Sequence, residues 1–392
     1  MAALASIEEQ LNPFPLYQTM RRSQPVYYDR QRQNWNIFRY DDVQRVLSDY
    51  SLFSSKFAGD IPDSADEPFA ASMIATDPPR HRQLRSLVTQ AFTPKAVDAL
   101  APRITEIVHH HLDQVMAGGG MDVIQDLGYP LPVIVIAELL GIPTEDRERF
   151  KTWSDVIVSL ADLGGNVDYA AFNNSAVLEM SAYFFNMIEK RRQEPGDDLI
   201  SGLLAAEVDG QKLSLVELLG FCALLLVAGN ETTTNLIGNG MLTFSEHPEA
   251  WEHLRKQPDL LAQAIEEVLR YRSPVQAMFR VTTQEVELAG QVIPAHAPLV
   301  AWIGAANHDE GQFTDPEKFD IARAPNRHLA FGQGIHYCLG APLARLEARI
   351  AFQAMLERFD TVELAQDIKL ERLPSLIVYG VRSLPISFTQ AR

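Results

Sequence analysis

Apolar residues recur along most of the chain at the three-to-four spacing of amphipathic helices, and only short stretches alternate as strands do. Two β-type segments come early, Pro25 to Tyr28 and Trp35 to Phe38. Three more fall at Ala277 to Val281, Val286 to Leu288 and Leu299 to Trp302. Elsewhere the spacing predicts helices over Pro78–Thr89, Lys95–Met116, Leu131–Leu140, Thr144–Leu160, Tyr169–Arg192, Leu260–Arg272 and Ala341–Phe359. Gly164-Gly165 and Gly118-Gly119-Gly120 read as turn and loop. The dominant element runs from about Ser214 to His247, opened by a Ser214/Glu217 capping box and stopped by Pro248. Such a helix is roughly 50 Å long, enough to cross a whole domain. Its first half, Leu218 to Ala228, is apolar nearly all round, as a helix buried on every side would be.

No linker, repeat or low-complexity tract divides the chain. The expectation is therefore one domain over residues 1–392, mainly α, with a small β region near 25–40 and 276–302. With 392 residues, 46% hydrophobic and 22% charged, the chain has a globular composition and is long enough to enclose a cofactor.

Charge narrows the partners. The net charge is −17, from 34 basic and 51 acidic residues. Such a surface repels phosphate backbones and anionic lipid, so neither nucleic acid nor membrane is expected as a partner. Two cysteines, Cys222 and Cys338, leave no disulfide framework and fit a reducing compartment. Met1–Gln10 has no basic flank with an apolar run, so no signal peptide is read there. The longest apolar run, Phe221–Ala228, is too short to span a bilayer. A cytoplasmic protein is expected.

Four constellations carry chemistry. In Phe331-Gly332-Gln333-Gly334-Ile335-His336-Tyr337-Cys338-Leu339-Gly340, three glycines surround one cysteine just before a helix. Glycine allows positive φ and close backbone approach, and the free N–H groups of a helix start favour thiolate over thiol. A lone thiolate in a backbone cage suits an axial ligand to haem iron. The spacing is not that of a dinucleotide fingerprint, zinc would need more ligands than nearby His336 supplies, and a papain-like signature is absent.

In Ala228-Gly229-Asn230-Glu231-Thr232-Thr233-Thr234, poor helix formers and an acid interrupt a buried helix, a conflict that concentrates at functional sites. Glu267 and Arg270 stand one helical turn apart and can pair. His81 and Arg85 share a helix face as two donors suited to a carboxylate pair. By contrast, His109-His110-His111 cannot all share one face, and Cys222 reads as core.

The cysteine segment matches the haem-binding loop of cytochromes P450 at every fixed position, and the chain resembles the soluble bacterial members from Pro13 to Ile386. The resemblance implies the P450 fold, a long central helix over a buried haem b ligated through its iron by Cys338. Phe331, Gly332, His336 and Gly340 would line that loop. It also implies an oxygen-activation motif in which Ala228 and Gly229 open a groove for O2 and Glu231 with Thr232 deliver protons. Arg280 joins His81, Arg85 and His336 as contacts of the haem propionates. Glu267, Arg270 and Arg323 become a structural triad near the cysteine loop.

The function implied is a haem-thiolate monooxygenase that hydroxylates a lipophilic small molecule, fatty acid, terpenoid or steroid-like. Electrons would come from NAD(P)H through a ferredoxin and its reductase, which would dock on cations among Arg80, Arg82, Arg345 and Arg349. A monomer is expected. The alternatives are a peroxide-driven peroxygenase, against which the intact Glu231–Thr232 sequence speaks, and a non-enzymatic haem sensor. Family pockets point to Phe69, Met73, Leu224, Leu225, Ala228, Val275, Met278 and Ile377 as substrate contacts.

Overall fold

The computed structural model describes residues 11–56, 71–146, 149–150, 152–153, 156, 175–366, 368–373 and 375–391. The molecule is mostly helical with small sheets, as the apolar spacing predicts. The long helix spans Leu215–Glu246, 32 residues without interruption, and its capping box forms as read: Ser214 Oγ accepts from Glu217 N, and Glu217 Oε2 accepts from Ser214 N at 2.8 Å. By length and composition this helix could cross a membrane, which the longest uninterrupted apolar run alone does not indicate. Here it is a core element, packed against the helices Pro130–Leu139, Leu261–Tyr271 and Ala341–Arg358.

Strands β1 (Val26–Asp29), β2 (Asn34–Ile37), β3 (Phe53–Ser54), β5 (Met278–Thr282) and β8 (Pro298–Ala301) form a five-stranded sheet in the order β1-β2-β8-β5-β3. This is the β region read from residues 25–40 and 276–302. A hairpin of β6 (Val286–Leu288) and β7 (Gln291–Ile293) adjoins it in sequence. A separate three-stranded sheet joins β4 (Gly120–Asp122), β10 (Pro385–Gln390) and β9 (Phe359–Leu364), and it has no counterpart in the sequence reading.

Two helical expectations change. Lys95–Met116 is not one helix but two, Pro94–Asp98 and Ala101–Val115. Pro102 cannot donate into a preceding turn, and it sits in the first turn of the second helix instead. Residues 123–128 form a π-helix that packs on the long helix. Of the expected helix from Thr144, a short 3₁₀ turn at Thr144–Asp146 and helical residues 149–150, 152–153 and 156 are described, and the rest of that span, with 161–174, lies outside the described residues. The helix read from Tyr169 is described from Ser175 to Gln193.

Candidate active site

The cysteine loop, the middle of the long helix and the end of β5 enclose a cavity of about 1470 Å³, counting its opening to solvent. Leu224, Leu225 and Ala228 turn from buried core toward this space, so the long helix is not buried on every side. The reason is helical geometry: these positions share one stripe with Phe221, Thr232 and Leu236, and that stripe faces the cavity.

Cys338 opens onto the cavity floor. Its N–H donates to the carbonyl of Phe331 at 2.9 Å, which closes the loop on itself. Gly332 and Gly334 adopt φ of 72° and 70°, the left-handed region that the glycine spacing suggests. A side chain at Gly334 would also meet Ser48 Cα at 2.8 Å. Gly340 is different. Its φ is −78°, it precedes the helix Ala341–Arg358, and a Cβ there would rest at ordinary contact, 3.9 Å from the sulfur.

The expected preference for thiolate is not met by the polypeptide alone. Burial pushes the Cys338 thiol up, against the backbone N–H of Gly340, Arg85, the N–H of Ala341 and Arg345, which all pull it down. A bound metal ion deprotonates such a thiol outright.

A group of donors gathers at the cysteine loop and includes the loop's own His336. Arg85, Arg280 and His336 line the cavity, and His81 stands behind His336 with ring centroids 4.2 Å apart. Burial, then Arg280, His81 and Arg85, depress His336 to about 3, while its Nε2 bonds Ser55 Oγ at 2.9 Å. His81 is depressed to about 4 by burial and by Arg85 and Arg280, against Asp77. Its buried Nε2 has no partner. Arg280 is almost wholly buried, donates to the carbonyl of its neighbour Phe279 at 2.7 Å, and is pushed down to about 10. Asp77 is drawn into holding Ser55 N at 3.0 Å. Two arginines on the cavity wall with no carboxylate bonded to them among the described residues, beside histidines whose charge is suppressed, suit a ligand bearing carboxylates. With an accessible sulfur on the same cavity, these residues fit a haem.

On the long helix, Thr232 lines the cavity and its Oγ1 donates to Ala228 O at 2.6 Å. Glu231 does not line it; its Oε1 accepts from Asn235 Nδ2 at 3.4 Å. Successive helical residues diverge by about 100°, so the acid and the alcohol are not directly bonded. Gly229 lines the cavity as read, yet it also has a packing role: a Cβ there would meet Ile136 Cδ1 at 2.8 Å.

Glu267 and Arg270 are wholly buried and pair through two hydrogen bonds of 2.8 and 2.9 Å. Arg323 Nε adds bonds of 3.1 Å to both carboxylate oxygens, completing the triad read from the sequence. Asn326 Nδ2 and Asp320 N also donate to Glu267, a convergence no spacing rule reveals.

Of the substrate contacts read from the sequence, Met73, Leu224, Leu225, Ala228, Val275 and Met278 line the cavity. Phe69 lies outside the described residues. Ile377 is not on the lining; its carbonyl accepts from Gln276 N at 2.6 Å and ties that turn to the segment just before β5. Phe92 and Ile136, which helical spacing marks only as core, are on the lining instead. The expected cationic patch also changes. Arg80 pairs with Glu217 and Arg345 with Glu266, whereas Arg82 and Arg349 are exposed and make no ion pair among the described residues. His109 bonds Arg358 and His110 bonds Gln114, and the described residues contain no cluster able to hold a metal ion through His, Asp or Glu.

The model of the family "Cytochrome P450" matches residues 14–385. The chain is 45% identical over 393 residues to "Cytochrome P450 109" of Bacillus spizizenii, covering 99% of this chain and 95% of that protein. It is 42% identical over 372 residues to the erythromycin C-12 hydroxylase of Saccharopolyspora erythraea, covering 94% and 92%. Among solved structures it is similar to CYP109E1 from Bacillus megaterium in complex with testosterone, with a TM-score of 0.84, 43% identity and coverage of 96% and 99%. A cysteine loop beneath a long helix, a carboxylate-seeking donor cluster and these similarities throughout the chain lead to one assignment: it belongs to the cytochrome P450 family of haem-thiolate monooxygenases.

Proposed function

We propose that Cys338 would hold haem b through its thiolate in an enzyme that hydroxylates a lipophilic small molecule. The observation that carries this reading is the meeting of Cys338 with Arg85, Arg280 and His336 on one mainly apolar cavity. The two arginines and His336, backed by His81, would hold the propionates by charge-assisted hydrogen bonds. The bound haem supplies O2 activation and C–H oxidation. Met73, Leu224, Val275 and Met278 exclude water and orient the substrate by shape, since they offer it no hydrogen bond. Thr232 holds a hydroxyl at the cavity wall, and Glu231 would exchange protons with it through water. The steroid bound by CYP109E1 and the macrolide named for the erythromycin hydroxylase support a bulky lipophilic substrate class.

Electrons would come from NAD(P)H through a ferredoxin and its reductase, with exposed Arg82 and Arg349 as docking cations. The protein would act as a cytoplasmic monomer. The test is to record the carbon monoxide adduct of the reduced holoprotein and of Cys338→Ala, then to assay hydroxylation with ferredoxin, reductase and NADPH against peroxide alone. The thiolate-type Soret band should vanish in the variant, and turnover should require the electron-transfer chain. Turnover sustained by peroxide alone would assign a peroxygenase; haem binding without turnover in either assay would assign a sensor.

A further inference from the structure

We propose that Glu266 and Arg345 act as a positioning couple that seats the Cys338 loop and sets the charge felt by its sulfur. Arg345 does not reach out to solvent as a docking cation. Its Nε and Nη2 each donate to the Glu266 carboxylate at 2.7 Å, and its Nη1 donates to Tyr337 Oη at 3.2 Å. The guanidinium carbon lies 4.4 Å from the centroid of the Phe331 ring, a stacked contact that lysine could not reproduce. Phe331 and Tyr337 are two of the loop's own residues, and the Phe331 carbonyl accepts the Cys338 N–H.

Glu266 takes a further bond, from His328 Nε2 at 3.0 Å. His328 Nδ1 accepts from Ala330 N at 3.2 Å, which leaves Nε2–H to donate to Glu266. Through these contacts, His328, Phe331 and Tyr337 are all anchored to one ion pair. The adjacent Glu267 holds Asp320, Arg323 and Asn326 in the same way. Two neighbouring carboxylates on one helix thus divide the irregular connection 320–337 between them. Burial opposes the charge of Glu266, yet Arg345 and His328 hold it down at about 2, so the pair stays ionised.

The two charges are also unequally placed with respect to the sulfur. Arg345 touches the loop directly, at Phe331 and Tyr337, whereas Glu266 is linked to those two residues through Arg345. Glu266 would then work as the counter-ion that tempers Arg345, a way to tune a metal site from beyond its ligands.

This inference rests on Cys338 ligating haem iron. The experiment measures the haem reduction potential, and the share of thiolate-type carbon monoxide adduct, in the holoprotein and in Glu266→Gln, Arg345→Gln, Arg345→Lys and Arg349→Gln. Reduction adds an electron to the site, so a nearby cation favours it. Glu266→Gln should raise the potential and Arg345→Gln should lower it. Arg345→Lys keeps the charge and loses the fork and the stack; it should hold the potential near that of the parent while reducing the thiolate-type share. Arg349→Gln should change neither. Shifts of the same sign in the first two variants, as general loosening of the loop would give, overturn the proposal. So does the absence of any shift. A parent holoprotein that lacks the thiolate-type band sinks instead the reading of Cys338 on which all of this depends.

Discussion

The hydroxyl of Thr232 donates to the carbonyl of Ala228 one turn earlier, at 2.6 Å, and both residues face the cavity. This back-bond satisfies the hydroxyl within its own helix and holds the Thr232 oxygen at the cavity wall, where it can still accept a proton donor. Glu231 is turned to the neighbouring face with Asn235. On the proposed reading, a proton passing between acid and alcohol would need a bridging water.

Thr232→Ala removes the hydroxyl and leaves the cavity wall apolar. The variant should continue to oxidise NADPH while the yield of hydroxylated product per NADPH falls by roughly tenfold or more and peroxide appears, in keeping with the usual weight of a positioned proton donor. Thr232→Ser should restore most of the coupling. Measuring NADPH, product and peroxide in one reaction decides the matter, and unchanged coupling in Thr232→Ala removes this residue from proton delivery.

A second prediction concerns Arg280. It is nearly wholly buried, yet among the described residues its side chain hydrogen-bonds only the carbonyl of the adjacent residue, at 2.7 Å. Such a guanidinium costs stability until an anion meets it. Arg280→Met keeps most of the volume and removes the charge. It should raise the melting temperature of haem-free protein and weaken haem binding by about 10- to 100-fold, the loss expected for a hydrogen bond to a charged group. Thermal melts without haem and haem titration give the two signs separately. Equal affinity in variant and parent would show that Arg280 serves only the fold.

How much of this site could be read in advance depends on how local each cause is. Gly332 and Gly334 announce the cysteine loop because positive φ is a property of single residues. Ser214 and Glu217 announce the long helix because a capping box lies within one turn. The break before the helix Ala101–Val115 was equally local, written in Pro102.

Other features depend on partners far away in the chain. β10 pairs with β4 across more than half the sequence, and neither short segment alternates clearly enough to stand out. Arg345 looks like a surface cation until the fold brings Glu266 to it. Glu231 and Thr232 look like a pair as letters and diverge as side chains, because adjacent positions on a helix never face the same way. Ile377 had the right polarity for the pocket, but its backbone is engaged with Gln276 and its side chain is off the lining.

Glu347 shows most sharply what sequence alone conceals. It sits on the last helix, Ala341–Arg358, among positions that read as amphipathic surface, yet it is 1% exposed. Its carboxyl meets the Thr233 side chain beside the cavity, and its Oε1 has no partner. Burial pushes it up from 4.5 to about 8, with the Thr233 hydrogen bond pulling the other way. The sign of the consequence follows from proton counting. Between those two values the folded protein holds a proton on Glu347 that the unfolded chain releases, so stability falls as pH rises through that window. Glu347→Gln keeps the size and the polar contact but does not titrate. It should lose less stability than the parent between about pH 5 and pH 8, with a gap at the upper end of a few kcal/mol, at about 1.4 kcal/mol for each pKa unit. Urea midpoints of both proteins across that range measure it. Parallel profiles would mean that Glu347 is already ionised in the fold and that buried water or a neighbouring donor compensates it.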